Sequence, residues 1–403
     1  MNLVFISPNF PLYYFNFCDR LKQRGVNVLG IGDQPYETLP AECINSCTEY
    51  YKVSSLENFD EVYRAVGYFT HKYGKIDWIE SENEYWLETE ATLRTEFNVN
   101  TGTKIENMSS MKYKSKMKAV YESVGVPVAR YLLVDGYEEA KAFAHEVQYP
   151  VVVKPDNGVG ASSTYKLKSD ADLDYFFATK DPHVQFIMEE FVTGHVETFD
   201  GVTDADKNIL VCTSHVMLNS IMDNVNDASD TAFYSQPISV VPDMYEVGSR
   251  CVKAFDTRSR FYHFEFFRLD QDKEGLGKKG DIVGLEVNMR APGAYMPDMI
   301  NYAYDIDVYS VWADMIAFNE LRTNIERKYW VGYAGKRDGI AYAHSNEEVQ
   351  AKYGDKVVLS TPVPEALAAA MGNHVFLFRT TTKEELFEMI RFILERADGT
   401  QWM

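Results

Sequence analysis

The stretch Val151-Val152-Val153-Lys154-Pro155-Asp156-Asn157-Gly158-Val159-Gly160-Ala161-Ser162-Ser163 decides how this chain is read. Three β-branched residues in a row predict a short buried strand. The strand delivers Lys154 to its end, and a loop of small residues follows. Gly158 and Gly160 have no Cβ, so backbone N–H groups there can approach an anion closely. Ser162 and Ser163 add hydroxyl donors, and Lys154 adds a compact charge suited to phosphate. The spacing G-x-x-x-x-G-K-[ST] is absent, so this is no Walker loop. The stretch reads as a phosphate cradle; a solvated turn after an edge strand has the same local composition.

Upstream, residues 3–6 (Leu-Val-Phe-Ile) read as a buried parallel strand ending in the turn Ser7-Pro8-Asn9. A helix over 13–24, stopped by Gly25, and a strand over 26–31 complete a βαβ unit. A helix over 56–73 and a strand over 76–79 continue the alternation. The first hundred residues therefore predict a small open α/β domain that receives ligands at its strand C-termini. No G-x-G-x-x-G follows the first strand, so a dinucleotide role is not supported. A polar stretch over 98–110 marks a boundary. It leads into a lysine-rich helix over 111–124 and the turn Gly125-Val126-Pro127.

Downstream, strands are expected over 184–188, 198–202, 209–215, 261–269 and 282–289, with helices over 138–146, 171–178, 244–254 and 306–319. This is mixed α+β, not a regular parallel array. From about residue 322, short strands over 357–359 and 375–378 and an amphipathic helix over 383–396 read as a small C-terminal subdomain.

Two of these strands carry carboxylates amid apolar neighbours. Phe261-Tyr262-His263-Phe264-Glu265-Phe266-Phe267 holds Glu265, and Val283-Gly284-Leu285-Glu286-Val287-Asn288-Met289-Arg290 holds Glu286. The two-residue period puts Glu286, Asn288 and Arg290 on one face. Burying two glutamates is costly without a cationic partner. Mg²⁺ held by carboxylate and amide oxygens beside substrate phosphates removes that cost. Arg290 can then grip a phosphate or carboxylate with two parallel bonds. A structural Glu–Arg pair is the plainer alternative. A third stretch, Ile187-Met188-Glu189-Glu190-Phe191-Val192-Thr193-Gly194-His195-Val196-Glu197, runs from a strand into a turn. Such a connector can offer backbone groups to a purine edge and a carboxylate to ribose, although an ordinary strand-to-loop junction looks alike. His215 and His263 lie on expected strands and read as packed, hydrogen-bonded histidines. Tyr295, Tyr302 and Tyr304 suit either a substrate pocket or helix packing.

The composition sets limits. The 403 residues include 46 % hydrophobic and 25 % charged side chains, enough for a large core and several domains. Lysine and arginine number 40 against 60 acidic residues, a net charge of −20. That argues against nucleic acid and anionic membrane as partners, since both need basic patches. Any anionic ligand must meet local cations. Five cysteines, Cys43 and Cys47 among them, fit free thiols in a reducing cytoplasm and not a disulfide framework. The N-terminus lacks the pattern of a signal peptide, and no apolar run is long enough to span a membrane.

The three stretches, in this order, resemble the ATP-grasp superfamily of carboxylate–amine ligases, with carbamoyl-phosphate-synthase-like proteins as the nearest likeness and L-amino acid ligases and biotin carboxylase as more distant ones. The resemblance covers about residues 1–320. Lys114-Ser115-Lys116-Met117-Lys118 before Gly125-Val126-Pro127 looks like the family's K-x-x-M-K helix. It implies Lys114 and Lys154 as the two phosphate lysines, with Gly158, Gly160, Ser162 and Ser163 in a mobile loop closing over the phosphates. Glu189, Glu190, Phe191 and Val192 resemble the adenine hinge, and Glu197 the ribose carboxylate. Gly194-His195-Val196-Glu197 is one residue longer than the usual G-x-E, which brings in Asp200 as the alternative. Glu265 with Glu286-Val287-Asn288-Met289-Arg290 looks like the family's E … E-x-N-x-R set. It implies Glu265, Glu286 and Asn288 on Mg²⁺ (or Mn²⁺), and Arg290 with Lys154 at the reacting phosphoryl group.

By the same resemblance, residues 1–100 would be a pre-ATP-grasp α/β domain, 101–190 the small ATP-grasp lobe, 191–320 the large lobe and 321–403 a C-terminal subdomain. The implied activity joins an amino acid-like carboxylate to an amine through an acyl phosphate, converting MgATP to ADP and phosphate in the cytoplasm. Its partners would be small molecules, with a homodimer as the assembly seen among similar proteins. Carboxyphosphate chemistry on bicarbonate and a non-catalytic ATP-binding module are the alternatives. After Arg290 the chain reads Ala291-Pro292-Gly293-Ala294-Tyr295, where the family often has two glycines, so the acyl substrate differs from the commoner ones.

Overall fold

The computed structural model describes residues 1–158, 163–219 and 229–400, and its strands gather into three sheets. The first contains β1 (Asn2–Ile6), β2 (Asn27–Gly32), β3 (Glu49–Lys52) and β4 (Trp78–Glu80) in the order β3-β2-β1-β4. All its neighbours run parallel, as expected for short apolar strands joined through helices. The helix Phe59–Tyr73 starts where the Asn58 side chain accepts from the Glu61 N–H and ends at Gly74, whose φ is +88°. Glu82 and Glu84 follow the carboxyl end of β4, which is where such sheets receive ligands.

The second sheet is antiparallel: β5 (Tyr131–Leu133), β6 (Val151–Pro155), β7 (Tyr165–Leu167) and β8 (Phe186–Glu190), ordered β5-β8-β6-β7. Val151, Val153, Phe186 and Met188 pack with Leu173 and Phe176 of the helix Asp170–Thr179. The strand that opened the sequence reading is therefore the inner strand carrying Lys154.

The third sheet has eight antiparallel strands: β9 (Gly194–Thr203), β10 (Ile209–Met217), β11 (Thr231–Gln236), β12 (Arg260–Leu269), β13 (Ile282–Asn288), β14 (Trp330–Lys336), β15 (Val357–Pro362) and β16 (His374–Thr380). Their order is β13-β12-β9-β10-β11-β14-β16-β15. The last three strands of the chain thus extend the sheet that holds Glu265 and do not form a sheet of their own. β11 and β14 do not stand out in the sequence. β14 carries two glycines, Gly332 and Gly335, which break its apolar pattern. Both are forced by close approach: a Cβ would lie 2.4 Å from the Phe378 ring at Gly332 and 2.1 Å from the Met371 carbonyl at Gly335.

One face of this sheet presents Phe199, Tyr262, Phe264 and Phe266 to the helices Lys114–Ser123 and Pro242–Ala254. The other presents Val202, Val211, Phe233, Phe261 and Tyr333 to the helices Met296–Tyr304 and Val308–Phe318 and to Phe17 of the first domain. Phe17 meets Phe261 edge-on, with ring centroids 5.8 Å apart. Core contacts therefore bind the first sheet to the third.

Candidate active site

Strand register brings the carboxylates together. Glu265 on β12 stands opposite Glu286 on β13, and His263 stands opposite Asn288. On the other side of β12, Thr198 and Asp200 of β9 complete the same two rows. Like charges directly opposite each other destabilise a sheet. Burial, then Glu84 and Glu265, push the Glu286 carboxyl up, against the pull of Lys114 and Lys154. Against burial, His263 and Arg290 hold the Glu265 carboxyl down, so the unmet cost of the pair falls on Glu286, and the donor set of two carboxylates and an amide suits an oxygen-loving divalent ion. Among the described residues, no group of three His, Cys, Asp or Glu forms a complete metal cage. A two-carboxylate site leaves coordination positions for phosphate oxygens and water, which is how Mg²⁺ is usually held.

The lysines arrive from two directions. Lys154 ends β6. The helix Lys114–Ser123 is docked beside it by Asp156, which accepts from the Ser115 N–H (2.8 Å) and from the Ser115 hydroxyl (2.8 Å). Lys114 Nζ lies 3.2 Å from Glu286 Oε1 and donates to the Gly158 carbonyl at 3.1 Å. Lys154 Nζ lies 3.2 Å from Glu189 Oε2, and Lys118 Nζ lies 3.1 Å from Glu189 Oε1. Burial works against the Glu189 charge, but the two ammonium groups outweigh it and hold the carboxyl at about 2. Lys118 lies on the lysine-rich helix, and its pairing with Glu189 emerges only from the fold. Tyr121 of the same helix donates to the Glu286 carbonyl at 2.7 Å. Gly284 makes room for that ring, since a Cβ there would lie 2.8 Å from Tyr121.

Arg290 follows β13 and donates to Glu84 Oε2 at 2.7 Å. Placed to satisfy its neighbours, the Asn288 amide nitrogen donates to both oxygens of the same Glu84, at 3.1 and 3.2 Å. The Ala291 N–H donates to Glu82 at 2.7 Å, and burial pushes that carboxyl up to about 8. The segment that follows β4 therefore closes one wall of the site with Glu82 and Glu84. Neither was singled out by sequence, because each takes its meaning from a contact more than 200 residues away.

A histidine relay supports Glu265. His263 Nε2 lies 3.0 Å from Glu265 Oε1, and His263 Nδ1 lies 2.5 Å from Asp200 Oδ1. The other Asp200 oxygen lies 2.7 Å from His215 Nδ1. Burial opposes the His263 charge, but Asp200 and Glu265 outweigh it and raise that ring to about 10. The expectation of packed, hydrogen-bonded histidines agrees with this arrangement.

Glu189 and Glu190 end β8, and both are buried. Glu190 accepts from the Arg130 backbone N–H (2.8 Å) and side chain (3.0 Å). The Phe191 ring lies under Lys166 Nζ, 3.9 Å from the centroid. Val192 packs with Leu269, Leu276, Val283 and the half-buried Phe267. Phe267 is two residues beyond Glu265 and shares its face, so alternation alone could have found it. Glu197 pairs across the sheet with Phe266 and Val216, on the face opposite Glu265. It accepts from Arg268 Nε at 2.8 Å and lies 3.2 Å from His195, beside a cavity of about 980 Å³. Asp200, the alternative, is on the Glu265 face and is taken by the two histidines. In the glycine loop, Gly158 and Ser163 are described, and Ser163 has φ of +57°. Gly160 and Ser162 lie outside the described residues.

A three-sheet ligand-binding architecture of this kind has known counterparts. No family model matches the chain. It is 25 % identical over 246 residues to the L-arginine-specific L-amino acid ligase of Bacillus subtilis, covering 59 % of this chain and 57 % of that protein. It is 20 % identical over 350 residues to the carbamoyl phosphate synthase large chain of Pyrococcus furiosus, covering 84 % of this chain and 31 % of that one. The chain thus spans little more than half the length of the first and under a third of the second. Among solved structures, the L-amino acid ligase from Bacillus licheniformis superposes with a TM-score of 0.71 at 15 % identity, over 97 % of this chain and 96 % of that one. An ADP complex of N5-carboxyaminoimidazole ribonucleotide synthetase gives 0.68 at 13 % identity, over 96 % and 94 %. The chain has the ATP-grasp fold of these structures. None of its described helices is long and apolar enough to cross a membrane.

Proposed function

We propose that the chain is an ATP-dependent carbon–nitrogen ligase, which activates a substrate carboxylate as an acyl phosphate and passes it to an amine. One observation carries the reading: Glu265, Glu286 and Asn288 share two adjacent rows of one sheet, with Lys114 already on Glu286 and Arg290 just beyond. Glu265, Glu286 and Asn288 would hold Mg²⁺ (or Mn²⁺), which when bound spreads the charge of the transferred phosphoryl group. Lys114 and Lys154 bind phosphate oxygens, and Gly158, Gly160, Ser162 and Ser163 supply further donors. The hinge 189–192 offers backbone groups to adenine, and Phe267 gives the ring an apolar floor. Arg290 exchanges Glu84 for the oxygens of the acyl phosphate. Water must stay out, because it would hydrolyse that intermediate before the amine arrives.

The test is phosphate release from MgATP with pairs of amino acids and other carboxylates, with and without bicarbonate, followed by mass spectrometry of the products. A condensation product accompanied by ADP is expected. Turnover with bicarbonate alone points to carboxyphosphate chemistry instead. No ADP from any combination, with tight ATP binding, refutes the ligase reading in favour of a binding module.

A further inference from the structure

The Glu265 face of the large sheet carries a polar patch that none of these roles uses. Beyond Thr198, the same row continues to His215 on β10, whose N–H donates to the Thr198 hydroxyl, and then to Ser235 on β11. His215 is fully buried, and its Nε2 meets no partner. Arg327 reaches this patch from the segment preceding β14. Its Nη1 donates to Thr213 Oγ1 at 2.7 Å, its Nη2 to Ser235 Oγ at 2.9 Å and its Nε to the Tyr329 carbonyl at 3.0 Å. The three acceptors are neutral, and Tyr304 and Cys212 are the titratable groups that act on the guanidinium.

Three other buried or half-buried arginines behave differently. Arg94, Arg268 and Arg290 sit against carboxylates that hold their charge, whereas burial pushes the Arg327 guanidinium down. A guanidinium has five N–H donors; these three bonds and a side-chain hydrogen bond with Tyr304 engage four of them and leave one. A partly buried cation with a spare donor, beside a buried imidazole nitrogen that also lacks a partner, is arranged for an anion that the chain itself does not supply.

We propose that Arg327, seated on Thr213 and Ser235 next to His215, anchors the carboxylate of the amine substrate, which is therefore an amino acid or a short peptide. The inference rests on the ligase reading. The carboxylate of the acyl partner must face the phosphate, so a carboxylate that stays intact belongs most simply to the amine. Ser235 stands three strands from Glu265, roughly 14 Å at about 4.8 Å per strand. The arginine side chain and the metal-bound phosphate each take up part of that gap. The remainder suits one or two residues of about 3.5 Å each.

The experiment measures kcat/KM for phosphate release by wild type, R327Q and R327K, with each amine partner offered as its free acid and as its carboxamide. Wild type should favour the acid by about 10- to 100-fold, the worth of a charge-assisted bond. R327Q should lose that preference by slowing only the acid, and R327K should keep part of it, with ATP half-saturation the same in all three. Equal rates for acid and amide in wild type, or equal slowing of both in R327Q, overturn the subsite. If no pair turns over in wild type, the ligase reading is what has failed. The subsite is then tested by thermal shift with the same acids and amides. Acid-selective stabilisation that disappears in R327Q supports it, and its absence overturns it.

Discussion

Replacing Glu189 by glutamine tests whether one buried carboxylate holds Lys154 of the small sheet and Lys118 of the helix beside it in place. Glu189 is buried between Lys118 and Lys154, at 3.1 and 3.2 Å. Burial alone would raise its carboxyl, but the ammonium groups hold it at about 2 against a usual value of 4.5. That difference corresponds to about 3 kcal/mol of stability. A carboxyl held down in the folded state contributes fully above its unfolded value and loses the contribution as pH falls through the folded one. The contribution is therefore present above about pH 4.5 and fades toward pH 2. The variant also strands two ammonium groups, and burial already pushes Lys118 down. The expected loss is about 3 kcal/mol at pH 7, at the lower edge of the range for breaking a buried ion pair. Urea denaturation of both proteins between pH 7 and pH 3 measures it. The gap should be near full at pH 7 and narrow below pH 4.5. A gap under about 1 kcal/mol at pH 7, or one that acid leaves unchanged, refutes the reasoning, because a buried carboxylate held by two charges cannot be that cheap to remove.

Other consequences of the site are open to measurement. Glu286→Gln should cut Mg²⁺-dependent ATP turnover by at least about 100-fold, while metal-free thermal stability holds or rises as the repulsion with Glu265 is relieved; a fall of many degrees would count against the like-charge pair. Gly284→Ala drives a Cβ to 2.8 Å from Tyr121. It should cost about 1–3 kcal/mol and raise the KM for ATP by displacing the helix that carries Lys114, whereas an unchanged KM would show that the helix is not located through this contact. For His263, raised from 6.5 to about 10 by Asp200 and Glu265 against burial, stability is fully present below pH 6.5 and is lost as pH rises through 10. The stability gap between wild type and His263→Asn should therefore shrink between pH 7 and pH 10, and a gap independent of pH would remove the charged relay.

Much of this protein was open to reading from its residues alone, for a physical reason. Local rules govern the βαβ start, the triple-valine strand ending in Lys154, and the alternation that puts Glu286 and Asn288 on one face. Each of these is settled within a few residues by sterics or by the two-residue period of a strand. The order of those motifs carried the superfamily likeness, and the charge of −20 narrowed the anion site to a few lysines and arginines. What the local pattern left open depends on contacts between distant segments. Glu84 on Arg290, Asp200 between two histidines, Lys118 on Glu189 and Arg327 on Thr213 and Ser235 join segments from 15 to more than 200 residues apart. The fate of Glu197 shows the same division. Its place in the motif suggested a ribose ligand, while strand register turned it to the face opposite Glu265 and gave it to Arg268. Composition and spacing set which residues are available to bind an anion. Which of them meet one depends on how three sheets pack, because only packing decides which charges lie within a few ångströms of each other and how far water is kept away.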